Sequence, residues 1–511
     1  MTIDELDQAT GPGHRRLPGA PAEAQSEINP KRWIAFIFLG LAQLMLILDI
    51  SIVNIALPSV QADLGFSAGD RQWIITGYTL AFGSLLLLGG RIADYTGRRR
   101  TFLIGLAGFA TASALGGIAG NFEILLTGRV LQGAFAALLS PAILSLISIN
   151  FTDPGERAKA FGAFGGIAAA GGAIGLLAGG ALTDYLDWRW CMYVNVPIAL
   201  IAACGWFLLR DNRGARGRTR FDIPGVLLSG AGLVAIVYGS SQAETKGWGS
   251  AEVVTLLITG VLLLAAFALV ETRVANPLLP LRILLSRTRS SAYLAMGVIF
   301  VGALALFLFL TFYLQLVLGY SPMRAGVAFL PMAASVAVGA GGVATRLLPK
   351  VPPRALIVPG MVIVAGALAW LARLDVDSSY AGGVLPGLCM LGFGMGISLP
   401  ATLNYATYGA DEHDTGIASA CLTTLQQVGG SLGLAVLSTI ATSTTDDFMK
   451  SAAGDPSAAA GPKLLATGLT EGFTKGFAWG AVVLAVGAVL IGVLMNTRRP
   501  STGEVSVGLD H

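Results

Sequence analysis

Histidine is almost missing from this chain, with three in 511 residues: His14, His413 and His511. All three fall outside the apolar runs, which excludes an imidazole relay inside a membrane. Cysteine is nearly as scarce. Cys191, Cys204, Cys389 and Cys421 lie in or beside apolar stretches with no CxxC or His-rich spacing. They read as buried, inert thiols, and neither a disulfide framework nor a metal site is expected. Only 12% of residues are charged and the net charge is +3, too slight for a nucleic-acid surface. No GxxxxGK[ST] phosphate loop, no HExxH motif and no soluble catalytic domain is present, so an enzyme is the poorer reading and no cofactor is implied. Residues 1–30 are polar and carry Asp, Glu and Pro, unlike a cleavable signal peptide, and Arg15–Arg16 is not followed closely by an apolar segment.

Apolar sequence is what the chain has instead. Hydrophobic residues make up 54%, mean hydropathy is +0.70 and there are 67 glycines. That composition fits an all-α membrane protein whose helices approach closely at small residues. Runs of about 17–25 apolar residues predict fourteen spans. They lie near 34–57, 73–91, 101–120, 122–147, 160–183, 190–209, 222–241, 252–271, 291–318, 325–346, 354–372, 380–402, 415–442 and 474–496. With both termini cytoplasmic, the inside segments carry roughly three times as many Lys and Arg as the outside loops, the asymmetry that sets orientation. The expected organisation is a tail at 1–32, a six-helix bundle at 33–210 and a linker with two extra helices at 211–289. A second six-helix bundle at 290–497 and a tail at 498–511 complete it. The segment 443–473, rich in Ala, Gly, Ser and Thr, reads as the longest outer loop.

Two formal charges stand out inside the spans, Asp49 and Arg129. A charge near the bilayer interior costs about 2.5–3.5 kcal/mol on insertion scales, so each should face a partner or a hydrated cavity. The first span runs outward and the fourth inward. Asp49 lies about eight residues, or roughly 12 Å, from its outer end, and Arg129 lies at nearly the same depth. The geometry permits pairing, either as a structural tie or as a site that gains and loses a proton. Without an imidazole in the spans, any proton carrier is a carboxylate, and Asp49 is the deep one.

Between spans two and three stands Gly90–Arg91–Ile92–Ala93–Asp94–Tyr95–Thr96–Gly97–Arg98–Arg99–Arg100. Its glycines allow a tight turn, and Asp94 can cap a helix or accept from arginine. Here the chain resembles the major facilitator superfamily. Gly90, Ala93, Asp94, Gly97, Arg98 and Arg99 match its inner-loop motif, with Ile92 for the usual Leu and Tyr95 for the usual Arg. More specifically, it is similar to the fourteen-helix drug:proton antiporter branch. The run from Leu48 through Asp49 and Asn54 to Pro58 matches the branch's first-span signature, and Leu126–Gly133, with Arg129 and Gln132, its fourth-span motif. Trp188–Arg189–Trp190 with Asn195–Val196–Pro197 matches the entry to span six, and Gln426–Gln427–Val428–Gly429–Gly430 is also familiar. The resemblance covers about residues 33–497. One departure is Leu176: the fifth-span motif, here Gly171, Gly175, Gly179 and Gly180, normally carries proline after Gly175.

The resemblance implies two bundles rocking around a midplane cavity, with Asp49 carrying the proton, Arg129 tuning it and the Asp94–Arg cluster latching the halves. It implies a proton-driven exporter of amphiphilic small molecules, monomeric and multi-pass in the inner or plasma membrane. Cavity-lining candidates are the uncharged polar and aromatic residues Gln43, Asn54, Tyr78, Gln132, Tyr313, Gln315, Asn404, Tyr405, Gln426 and Gln427. A dedicated exporter of one metabolite, lipid or siderophore uses the same machinery. A membrane sensor is the alternative from another class.

Overall fold

The computed structural model describes residues 31–67, 69–151, 153–209, 222–274, 287–348, 350–407, 412–453 and 462–495. The expected tails, apart from Lys31 and Arg32, and most of the linkers flanking the extra helices lie outside these residues. So do His14, His511 and the side chains of Asp94 and His413.

Helices account for nearly all of it. The N-terminal half comprises α1 (Arg32–Leu64), α2 (Arg71–Thr96), α3 (Arg98–Gly117), α4 (Phe122–Asn150), α5 (Pro154–Tyr185) and α6 (Trp190–Phe207). Next come α7 (Ile223–Lys246) and α8 (Ala251–Glu271). The C-terminal half comprises α9 (Arg287–Phe312, continuing as a π-helical turn over Tyr313–Val317), α10 (Pro322–Leu347) and α11 (Arg354–Leu371). It closes with α12 (Tyr380–Ala406), α13 (Glu412–Ala453) and α14 (Pro462–Leu494). Among the described residues ten of these helices, all but α2, α3, α7 and α13, are long and apolar enough to cross a membrane. Each expected span coincides with a helix.

Local chemistry explains where helices begin. Asn121, in the turn before α4, accepts from the Ile124 amide at 2.9 Å, and Asp153 accepts from the Glu156 amide at 2.8 Å. Such caps satisfy amides that have no partner within the helix. Between α2 and α3 a single residue intervenes: Gly97, at φ 96°, a conformation that strains any residue with a Cβ. This end of the molecule is called the Gly97 end, and the opposite one the Trp188 end. At the Gly97 end Arg32 grips Glu156 through two hydrogen bonds of 2.6 Å, and that guanidinium holds the Glu156 carboxyl below the usual carboxylate range.

Two expectations are corrected. The segment 443–473 is largely helical rather than a loop, because α13 runs on to Ala453 and α14 starts at Pro462. Glycines let the two extensions touch: Gly468 faces Phe448 and Met449, Gly472 faces Ala441, and Thr445 donates to the Gly468 carbonyl at 3.0 Å. Cys204 is exposed, not buried, because an apolar run does not distinguish a lipid-facing position from a core one.

Packing between the halves differs at the two ends. At the Trp188 end one apolar core runs from Ile52, Ile55 and Leu176 into Phe312, Ala325 and Phe329. Toward the Gly97 end the N-terminal half has its own separate core around Phe102, Phe109 and Ile147. Helix α5 shows the change within one element. A Cβ on Gly180 would stand 2.7 Å from the Met323 Cα and the Pro322 carbonyl, and one on Gly326 would strike the Leu176 carbonyl. Nearer the Gly97 end, a Cβ on Gly165, Gly166 or Gly172, or on Gly341 of α10, would meet nothing within 4 Å. Along α5 and α10 the halves are joined at the Trp188 end, and nearer the Gly97 end these glycines face open space.

Helix α7 packs on both halves. Its Tyr238 ring lies 5.8 Å from Trp73 of α2, Val237 clusters with Leu80 and Ala435, and Thr439 of α13 donates to the Ser240 carbonyl at 3.4 Å. Helices α2 and α13 also meet directly, where the Thr79 and Ser431 hydroxyls are 2.6 Å apart.

Candidate proton-coupling site and inter-half seam

Asp49 on α1 and Arg129 on α4 are brought together. Their side chains are 0% and 1% exposed, and Arg129 Nη1 donates to Asp49 Oδ2 at 2.5 Å. The other carboxylate oxygen, Oδ1, accepts from Gln132 Nε2 at 2.9 Å and from Asn195 Nδ2 at 2.7 Å. Arg129 also donates through Nε to the Ile74 carbonyl at 3.1 Å and through Nη1 to Gln132 Oε1 at 2.8 Å, and it sits 4.5 Å above the Tyr78 ring. Helices α1, α4 and α6 supply this cluster, and α2 closes one side through Ile74 and Tyr78. An ion pair so deeply buried survives because its remaining hydrogen-bonding capacity is taken up by neutral amides and a backbone carbonyl.

Ser113 on α3 is the hub of the neutral partners. Its hydroxyl accepts from both Gln132 Nε2 and Asn195 Nδ2 at 2.9 Å and donates to the Met192 carbonyl at 2.8 Å. Replacing Ser113 by Ala leaves two buried amide donors short of an acceptor and is expected to destabilise the fold by about 1–3 kcal/mol. Thermal unfolding of the purified protein measures that loss. Sequence reasoning missed Ser113, because a lone hydroxyl in an apolar helix carries no signal. It named Asn195 only within a motif, without a role.

Several cavity candidates stand elsewhere than expected. Gln132 belongs to the ion-pair cluster and lines no open cavity; its position one helical turn after Arg129 aims it at the same carboxylate. Tyr78 is wholly buried beneath Arg129. Tyr313 donates to the Asp375 carbonyl at 2.6 Å, tying α9 to the turn after α11 inside the C-terminal half. Gln315, in the π-helical turn of α9, donates to the Ile55 carbonyl of α1 at 2.8 Å and so crosses between halves. Asn54, Tyr405 and Gln427 are buried, Gln43 and Gln426 are half-buried and Asn404 is exposed.

The glycine series on α5 has two destinations. Gly171, Gly175 and Gly179 press on α1 at Leu44, Leu48 and Ile52, while Gly180 presses on α10. Leu176, in the place where the resemblance puts proline, is 2% exposed in the seam with α10. In the inner-loop motif the Arg99 guanidinium lies 3.7 Å over the Trp206 ring of α6. That contact stays within the N-terminal half and does not bridge the halves. At the Trp188 end, Trp188 and Arg189 both bond Asp63 of α1, at 3.0 and 2.9 Å.

Comparisons with known proteins agree with this architecture. A profile described as Major Facilitator Superfamily matches residues 39–434. A puromycin resistance protein of Streptomyces alboniger is 48% identical over 485 residues, covering 94% of this chain and 95% of the relative. A cephamycin export protein of Amycolatopsis lactamdurans is 37% identical over 430 residues, 84% of this chain and 88% of the relative. Among solved structures, a bacterial homologue of the human lysosomal transporter Spinster, inward-facing and unoccupied, superimposes with a TM-score of 0.65. It is 17% identical and covers 91% of this chain and 97% of its own, a likeness of fold.

Proposed function

The chain belongs to the Major Facilitator Superfamily, and on that premise we propose that it is a proton-coupled exporter of amphiphilic antibiotics or drugs across the cell membrane. All fourteen helices cross the bilayer in this reading, both termini are cytoplasmic and the protein works as a monomer. The Gly97 end faces the cytoplasm, so the open space there along α5 and α10 corresponds to a state open inward.

The observation that carries the proposal is the fully buried Asp49–Arg129 pair within a bundle that meets its partner along α2 and α13 and, on the α5 flank, at the Trp188 end. Export is supported by the resistance and export roles printed for the relatives. Proton coupling is supported by the chemistry of the pair. Protonating Asp49 removes the charge that holds Arg129, whose remaining partners are Gln132, the Ile74 carbonyl and the Tyr78 ring. Because α2 contributes two of those partners and also meets α13, a change at the carboxylate reaches the helix that touches the other half. Asp49 takes a proton when the outer end opens and releases it when the inner end does, and substrate travels the other way.

Everted vesicles containing the protein are expected to accumulate puromycin without ATP when acid inside, and to stop when an uncoupler collapses the gradient. ATP dependence, or indifference to the uncoupler, would overturn the proton-coupled reading. A narrower reading, export of one dedicated compound, is favoured by relatives named for single antibiotics. A screen of chemically unrelated amphiphiles separates the two: competition by many supports the broad exporter.

A further inference from the structure

A cavity of about 180 Å³ lies at the Trp188 end, lined by Arg71, one helical turn before the Ile74 that receives Arg129. Its lining comes from both halves: Arg71 opens α2, whereas Phe309, Ser438, Asp446, Leu469 and Phe473 belong to α9, α13 and α14. The helical extensions of α13 and α14, held together at Gly468 and Gly472, supply one wall.

The wall has distinct chemistries. Phe309 and Phe473 stack at 5.4 Å with their planes 17° apart, and Leu469 extends the apolar face. Ser438 is 6% exposed, and its hydroxyl oxygen has no hydrogen-bond partner. A buried hydroxyl left in that state costs stability until something binds it. The Asp446 carboxylate is exposed at the rim, while Arg71 is held 4.4 Å over the Phe312 ring. Carboxylate, hydroxyl, guanidinium and stacked rings around one space recognise a particular ligand shape.

Building on the export reading, we propose that this cavity is an exit subsite for an aromatic amphiphile with an ammonium group at one end and a hydrogen-bond acceptor at the other. The ring lies against Phe309 and Phe473, the ammonium pairs with Asp446, and the acceptor takes hydrogen bonds from Ser438 and Arg71. One wall moves with each half, so rocking reshapes the site. Arg71 and Asp446 balance in charge, which keeps retention of a cation weak, as release requires.

The test uses Ser438→Cys in the full chain with Cys191, Cys204, Cys389 and Cys421 replaced by Ala, and Ser443→Cys, exposed on the same helix and outside the cavity lining, as the control. Cells carrying each variant are treated from outside with a membrane-impermeant maleimide, with and without puromycin, in energised and de-energised states. Puromycin is expected to slow labelling at position 438 at least threefold and to leave position 443 unchanged. The de-energised arm reads occupancy without transport, so the subsite is judged even where efflux fails. Equal labelling with and without puromycin overturns the subsite, as does a position 438 that never reacts. Loss of uncoupler-sensitive efflux in the unmodified protein, with protection intact, would instead overturn the export reading alone.

Discussion

Asp49→Asn is expected to abolish pH-driven efflux while leaving a folded but weakened protein. The substitution keeps the shape of the side chain and removes its charge, so Arg129 stays buried without a counter-ion. Breaking one partner of such a pair costs about 3–5 kcal/mol, because the stranded charge must still be desolvated. Arg129→Gln should do comparable damage from the other side. The double variant Asp49→Asn/Arg129→Gln removes both charges and should recover most of the lost stability, since buried pairs are often replaceable by neutral groups. It should not recover transport. Thermal unfolding and vesicle efflux on the same preparations separate these outcomes. Full efflux by Asp49→Asn removes the carboxylate from the mechanism, and continued instability of the double variant removes the electrostatic account.

The second large effect concerns the seam. Gly180→Leu or Gly326→Leu puts a branched side chain where backbone already stands: Met323 and Pro322 for the first, Leu176 for the second. Neither neighbour is a flexible tip that can swing aside. Overpacking a filled contact costs about 1–3 kcal/mol. Every 1.4 kcal/mol is a tenfold change in population, so about 3 kcal/mol against the joined arrangement shifts the equilibrium on the order of a hundredfold toward a parted Trp188 end. Transport should fall at least tenfold, and cysteines placed along this seam should become reactive from outside. Gly172→Leu, where a Cβ meets open space, should leave the present arrangement intact and obstruct only its alternative. Outside reactivity unchanged by Gly180→Leu would refute the seam as the outer closure.

The sequence revealed most where polarity and lipid conflict. Asp49 and Arg129 were conspicuous because formal charge in an apolar run needs a reason, and the matched depths followed from counting residues along opposed helices. Gly180 was legible as part of a spaced glycine series, although its partner on α10 was not. Ser113 was illegible, since neutral hydroxyls are common in membrane helices and only the fold shows which one joins two amides. Gln132 was assigned to a cavity because one sequence does not say which way a helix faces. The extensions of α13 and α14 were hidden by composition: Ala, Ser, Thr and Gly with scattered charges suit a loop or a solvated helix equally well. The α7 contacts to both halves were invisible for another reason, as apolar residues such as Val237 look alike against lipid and against protein.

Those α7 contacts carry a geometric consequence. A helix fastened to α2 by Trp73 and Tyr238, and to α13 by Val237, Ala435 and Thr439, straps one flank of the molecule. Among the described residues no such strap crosses α5 and α10 on the other flank, where a Cβ on Gly165, Gly172 or Gly341 would meet nothing within 4 Å. Two bodies bound along one edge separate like the covers of a book, so the opening is a wedge, widest beside α5 and α10. On the export reading, bulky cargo enters beside α5 and α10, a direction set by α7 on the opposite flank.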